Sequence, residues 1–157
     1  MKRNRQIKFF LLSALLLPAG LMAQKDSIRL ICPLNEATIV PPPKNALRLD
    51  QPDLCIVLLS IPDTVVKAVA NGRITNVEFD DETRNGIVLF ARLNGKDFYF
   101  WYTGMNKVAV HKNDIVKTGQ AIGYISSGDK IELNMYQFET PVDPVKYLDC
   151  REVLKRE

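Results

Sequence analysis

The stretch DTVVKAVANGRITNV, residues 63–77, decides which fold this chain can adopt. Apolar residues recur at short intervals on both sides of the dipeptide Asn71-Gly72, a pattern that is typical of short, half-buried strands. An Asn-Gly dipeptide between such runs favours a tight hairpin turn. The stretch therefore predicts a strand, a turn and a second strand.

The same alternation of short apolar runs and turn residues continues outward from this stretch. The run LCIVLLSI, residues 54–61, predicts a buried strand, and GIVLFARL, residues 86–93, with KDFYFWY, residues 96–102, predicts a hairpin around Asn94-Gly95. No long segment has an apolar period of 3.6 residues. We therefore expect an all-β fold, a sandwich or barrel built from hairpins.

The beginning of the chain has the pattern of an export signal over residues 1–23. Basic residues come first, an apolar run occupies residues 9–17, and Ala23 precedes the expected cleavage point at Gln24. The apolar run is shorter than the roughly 20 residues that span a membrane. We expect a signal peptide, a single exported domain at residues 24–157 in the periplasm or outside the cell, and no membrane span after cleavage.

The overall positive charge belongs to the signal segment. The full chain has 21 Lys and Arg residues against 18 Asp and Glu residues, and four of the basic residues lie in the signal. The remaining domain is close to neutral. Nothing in this balance favours nucleic acid or an anionic membrane surface as a partner.

Three cysteines allow at most one disulfide within the chain. An exported protein can keep such a bond. Cys32 and Cys150 flank the two ends of the domain, whereas Cys55 lies in an apolar run that predicts a buried thiol. We favour a Cys32–Cys150 disulfide, and the alternative is that all three thiols are reduced.

Several motifs, in their order and spacing, resemble the lysostaphin/LytM-type zinc peptidases of bacterial cell walls. Residues 63–74 resemble that family's G-T-P-V-x-A-V-A-D-G-x-V, and residues 85–90 loosely resemble G-N-x-V-x-I. Residues 110–123 resemble V-x-x-G-D-x-V-x-x-G-Q-x-I-G with Asn113 for the first glycine, and residues 141–148 match P-V-D-P-x-x-Y-L. The resemblance covers nearly all of the exported domain and implies the β fold of that family.

The resemblance also implies where a zinc site would lie. The family binds zinc through the His and Asp of H-x-x-x-D and the second His of H-x-H, and two further histidines assist catalysis. Counted along this chain, the five positions fall on Asp53, Val57, Gly104, Lys130 and Glu132. This chemistry needs imidazoles, as ligands and as proton carriers, and the chain has one histidine, His111. We expect a degenerate, non-catalytic member with no metal and no cofactor.

The aromatic run at residues 98–102 suggests a contact surface beside the former site. Residues 98, 100 and 102 of a strand face one way, and residues 99 and 101 face the other. One set must pack in the core, and the other is expected to be half-exposed. The candidate binding surface consists of Tyr99, Trp101, Tyr102, Lys130 and Glu132.

Three functions are compatible with these residues. The first is an exported domain that binds peptidoglycan or regulates a cell-wall hydrolase, as the resemblance to degenerate family members implies. The second is a biotinyl/lipoyl-like carrier or adaptor module with Lys130 as the modified residue, although export would separate it from cytoplasmic ligases. The third is a residual metallopeptidase, against which the single histidine argues.

Overall fold

Strands make up almost all of the regular structure in residues 27–41, 54–79 and 85–150, which are the residues that the computed structural model describes. The expected signal peptide lies outside these ranges. The all-β prediction is confirmed, and no described segment forms a long apolar helix of the kind that crosses a membrane. The strands are β1 (Leu30–Ile31), β2 (Ala37–Val40), β3 (Cys55–Ser60), β4 (Val65–Lys67), β5 (Gly72–Glu78), β6 (Asn85–Leu93), β7 (Lys96–Met105), β8 (Lys107–Val108), β9 (Ile115–Val116), β10 (Ala121–Tyr124), β11 (Lys130–Gln137), β12 (Thr140–Val142) and β13 (Leu148–Asp149), with a 3₁₀ turn at Pro144–Lys146.

The largest sheet is antiparallel and open. Its strand order is β2-β3-β11-β7-β6-β5-β9, and β12 pairs with β11. Strands β2 and β9 stand at the two ends of this order and do not pair with each other in the described part of the chain. The sandwich form of the prediction is therefore correct, and the barrel form is not.

A smaller sheet, in the order β4-β10-β8, contributes to the same core. Phe98 and Phe100 of β7 are buried together with Val66 of β4 and Ile122 of β10 in one hydrophobic cluster. Full burial of an aliphatic or aromatic side chain of this size contributes roughly 1.5–3 kcal/mol. The alternating apolar positions of the long strands thus place one face of the large sheet in the core and leave the other face outside.

The hairpin predicted at Asn94-Gly95 is present between β6 and β7. Leu93 pairs with Lys96, and the two turn residues have φ values of 48° and 75°. Two successive residues with positive φ favour the Asn-Gly dipeptide and match the twist of the strands.

The hairpin predicted at Asn71-Gly72 is wrong. Strand β4 pairs with β10, whereas β5 pairs with β6 and β9. Residues 68–71 therefore carry the chain from the small sheet to the large one, and the side-chain Oδ1 of Asn71 accepts a hydrogen bond from the Thr118 amide at 2.8 Å. Gly72 is required by a close approach, because a Cβ there would lie 2.1 Å from the carbonyl oxygen of Phe90.

The two ends of the described domain are joined covalently. Cys32 and Cys150 form a disulfide with a sequence separation of 118, the pair favoured from the sequence. Next to it, β1 and β13 form a parallel pair in which Leu30 lies opposite Leu148. Closing a loop of this length stabilises the fold by about 4–5 kcal/mol in the chain-entropy account. Cys55 is half-buried in β3 and takes no part in this bond.

Tyr102 fastens the segment that crosses between the sheets. Its side chain is fully buried, and its hydroxyl oxygen accepts a hydrogen bond from the Val69 amide at 3.0 Å. Burial raises the pKa of Tyr102 well above its usual range, and the hydrogen bond from Val69 lowers that pKa by a smaller amount. The phenol is therefore a neutral acceptor at ordinary pH.

We predict that Tyr102→Phe destabilises the fold by about 1–3 kcal/mol at pH 7, because the buried Val69 amide loses its acceptor. The raised pKa means that the folded state holds its phenolic proton longer than the unfolded state. The stabilisation is therefore present below the unfolded pKa of about 10 and declines by about 1.4 kcal/mol per pH unit above it. Urea unfolding between pH 7 and pH 11 measures the difference in unfolding free energy between the wild type and the Tyr102→Phe variant. Tyr124→Phe, at an exposed tyrosine, is the control. The prediction is contradicted if the unfolding free energies of the wild type and Tyr102→Phe are equal at pH 7, or if their difference does not change with pH.

Candidate functional site

The outward face of the large sheet aligns side chains from neighbouring strands into rows. Directly opposed residues of antiparallel strands point to the same face. Thr103 of β7 lies opposite Glu132 of β11, Glu132 lies opposite Val57 of β3, and Val57 lies opposite Val40 of β2. One row therefore crosses four strands.

A shallow groove of about 370 Å³ lies over this row. Four of the five positions counted from the sequence, all except Asp53, line it. Asp53 lies outside the described residues. The groove is lined by Pro41, Val57, Thr103, Gly104, Lys130, Ile131 and Glu132.

The side chains of this groove do not fit a catalytic zinc ion. Such a site needs three nitrogen, oxygen or sulfur ligands from the protein. Val57 and Gly104 have no donor atom, and Lys130 is an exposed cation. Glu132 supplies a carboxylate, whose Oε1 accepts a hydrogen bond from Asn134 Nδ2 at 2.8 Å. Within the described ranges, no group of three or more His, Cys, Asp and Glu residues is placed to hold a metal.

His111 lies in the turn before β9 and is not among the residues that line the groove. Its side chain is 92% exposed, and its Nδ1 lies 3.7 Å from the Asp114 carboxylate. It therefore supplies no imidazole to the groove.

The aromatic run of β7 divides into an inner and an outer set. Trp101 is 38% exposed and lies opposite Asn134, and the half-buried Tyr99 lies opposite Tyr136. Tyr102 is fully buried, so its inclusion in the candidate binding surface was wrong. It belongs to the inner set because it is separated from Phe100 by one residue.

A family profile described as Peptidase family M23 matches residues 56–144, more than half of the chain. The chain belongs to Peptidase family M23. This confirms the family inferred from the motifs. A comparison with curated proteins gave no match.

Solved structures share the M23 fold seen here. Csd3 from Helicobacter pylori aligns with a TM-score of 0.60 and 21% identity over 80% of this chain and 34% of that chain. The antimicrobial peptidase lysostaphin from Staphylococcus simulans aligns with a TM-score of 0.53 and 22% identity over 71% of this chain and 48% of that chain. A mutant catalytic domain of the M23 protein EnpA from Enterococcus faecalis aligns with a TM-score of 0.54 and 15% identity over 69% of this chain and 89% of that chain. The chain thus spans less than half the length of the first two proteins, and these likenesses show the fold.

Sequence reasoning missed three residues of the M23 groove: Thr103, Ile131 and Pro41. Alternation along β7 was enough to predict that Thr103 faces outward, since it is two residues beyond the outward-facing Trp101. Ile131 is a buried residue that contributes to the groove from beneath. Nothing in the sequence indicated Pro41.

Gly104 is the residue that counting along the sequence assigns to a catalytic histidine, and the backbone there leaves no space for a side chain. Its φ of +94° is one that glycine adopts readily and other residues rarely do. A Cβ at Gly104 would lie 2.5 Å from the carbonyl oxygen of Lys130 and 3.3 Å from the Cα of Ile131. A histidine at this position therefore requires β7 and β11 to move apart.

We predict that Gly104→Ala is more destabilising than Gly128→Ala. Gly128 has a similar φ of +88° but open space around its Cα, so its substitution costs only the backbone strain of about 1–2 kcal/mol. Gly104→Ala adds the clash with the Lys130 carbonyl, a further cost of about 1–3 kcal/mol. Urea unfolding of both variants measures the difference. Equal losses of stability would show that the close approach of β7 and β11 has no energetic weight.

Lys130 is not at the tip of a hairpin. The tight turn occupies Ser127 and Gly128, whereas Lys130 is the first residue of β11 and pairs with Leu59 of β3. A carrier domain presents its modified lysine at the tip of a turn. The position of Lys130 therefore argues against the carrier alternative.

Proposed function

We propose that this chain is an exported, non-catalytic M23 domain that acts in the cell envelope, where it binds peptidoglycan or regulates a cell-wall hydrolase. The observation that supports this most is the groove itself. Four former site positions surround it, yet they hold Val57, Gly104, Lys130 and Glu132. Strand pairing specifies the scaffold, whereas the ligands specify the chemistry, so the groove persists without the histidines.

The groove offers chemistry that suits a peptide. Lys130 and Glu132 are two residues apart on β11 and lie on the outer face, one positive and one negative. Val57 provides an apolar contact between them and the neighbouring strand, and Thr103 adds a hydroxyl. A peptide with both amino and carboxylate groups, such as the stem peptide of peptidoglycan, presents complementary charges to this pair.

The metallopeptidase alternative has less support. Of the four described positions, only Glu132 has a side chain that binds zinc. The four described positions carry no imidazole, which would serve as a zinc ligand or as a proton carrier. They therefore provide neither an open zinc site nor a general base near neutral pH.

We predict that purified residues 24–157 co-sediment with peptidoglycan sacculi and release no soluble peptides from them, with or without added zinc. Lys130→Glu and Glu132→Lys should each lower the affinity for sacculi roughly tenfold, a change of ~1.4 kcal/mol. Each variant places a side chain of the same charge opposite the ligand group that the original side chain would pair with. Lys107→Glu makes the same charge change at β8, outside the groove, and should bind normally.

The two forms of the proposal are separated by a second measurement on the same samples. A regulator changes dye release from labelled sacculi when a cell-wall amidase from the native envelope is added, and the groove variants abolish that change. Zinc-dependent peptide release by this chain alone contradicts the non-catalytic assignment. Absence of both sacculus binding and an effect on the amidase contradicts the envelope role.

Export is supported by the basic and apolar pattern of residues 1–23 and by the Cys32–Cys150 disulfide, since such bonds persist in oxidising compartments. We predict that a bacterial host expressing the full chain yields a periplasmic product whose intact mass corresponds to residues 24–157 with one disulfide. The chain started at Gln24 should stay in the cytoplasm with reduced cysteines. Recovery of the uncleaved chain in the cytoplasm contradicts export.

A further inference from the structure

A second row of side chains crosses the same outward face, away from the groove. Ile115, Arg73, Phe90, Tyr99 and Tyr136 lie in register on β9, β5, β6, β7 and β11. The ring centroids of Phe90 and Tyr99 are 5.3 Å apart, with an interplanar angle of 49°. Since a strand rises about 3.3 Å per residue, this row lies about 13 Å from the row that contains Thr103.

Four residues of this row, all except Tyr136, line a concavity of about 740 Å³, which we call the aromatic–cation site. Its volume falls in the range of roughly 300–1,000 Å³ that is usual for ligand sites. It shares no lining residue with the groove. Ile115, 69% exposed, projects at its edge. The site is lined by Asn71, Gly72, Arg73, Thr75, Phe90, Ala91, Arg92, Tyr99, Ile115, Val116 and Lys117.

The charges of the aromatic–cation site favour an anion. Arg92 is already paired with Asp97 through two hydrogen bonds of 2.7 and 3.0 Å, which lower the pKa of the Asp97 carboxyl. Arg73 and Lys117 are both exposed, and no carboxylate of the described residues forms a salt bridge with either. Two positive groups therefore stand beside an apolar floor.

The side-chain acceptor of Asn71 is already occupied, which disfavours a sugar. Asn71 Oδ1 accepts from the Thr118 amide and hydroxyl at 2.8 and 3.2 Å. Sugar hydroxyls need acceptors for their protons, and unpaired polar groups weaken binding. A ligand with carboxylates and an apolar side chain matches the cations and rings more completely.

We propose that the aromatic–cation site binds an acidic peptide segment of a partner protein, in which carboxylates flank an apolar side chain. The apolar side chain packs on Ile115, Phe90 and Tyr99, and the carboxylates pair with Arg73 and Lys117. Paired opposite charges orient the segment, and the exposed apolar area supplies the contact. This site is separate from the groove, so the proposal does not depend on peptidoglycan binding or hydrolase regulation.

Selection of a random hexapeptide library on phage against residues 24–157 tests the proposal. We expect enriched peptides to place Asp or Glu next to Phe, Leu or Ile. A synthetic peptide of the enriched sequence should lose at least about tenfold in affinity with Arg73→Glu or Lys117→Glu, and Ile115→Ser should also weaken it. Lys107→Glu, which lies outside both the aromatic–cation site and the groove, is the matched charge control and should leave its affinity unchanged.

Three outcomes would overturn the proposal. The first is enrichment without acidic residues, or no enrichment at all. The second is a peptide whose affinity is the same with and without Arg73→Glu, which would place it elsewhere on the surface. The third is binding of oligogalacturonate, an anionic sugar, in a manner that is lost with Arg73→Glu while acidic peptides fail to bind.

Discussion

Strand β7 is hydrogen-bonded to β6 along one edge and to β11 along the other, and this double pairing fixes the register of the large sheet. A slip of one residue would exchange its inner and outer side chains. Phe98 and Phe100 would leave the core, and the outward-facing Trp101 would enter it. Both surface sites depend on this register, because the row of outward positions at each site passes through β7 and β11.

The parts of the fold that the sequence predicts are those set by neighbours along the chain. The hairpin at Asn94-Gly95 joins strands that are adjacent in sequence and in the sheet, so its turn residues suffice to identify it. Asn71-Gly72 is the same dipeptide, but the strands on either side of it, β4 and β5, pair with other strands and not with each other. Its glycine is needed by the approach of Phe90 from another strand, which no local pattern contains.

The candidate site could also be predicted only where positions along the chain were enough to identify its residues. Counting along the chain placed Val57, Gly104, Lys130 and Glu132, and register on neighbouring strands brings them around one groove. Alternation along β7 separates two sets of aromatic residues, and Tyr102 falls in the set of Phe98 and Phe100. The same alternation therefore excludes Tyr102 from a surface formed by Tyr99 and Trp101, a consequence that the candidate binding surface overlooked. The aromatic–cation site depends on which strands are neighbours, so no local pattern indicated any of its residues except Tyr99.

The close approach at Gly104 bears on how a groove of this kind could change its chemistry. A single substitution can introduce a side chain only where the fold has space for it. Here the neighbouring strand has taken that space, since the Lys130 carbonyl lies where a Cβ would stand. Placing a histidine at Gly104 would thus require a coordinated shift of two strands, with several substitutions made together. The packing of β11 against β7 therefore opposes any side chain larger than that of glycine at this position.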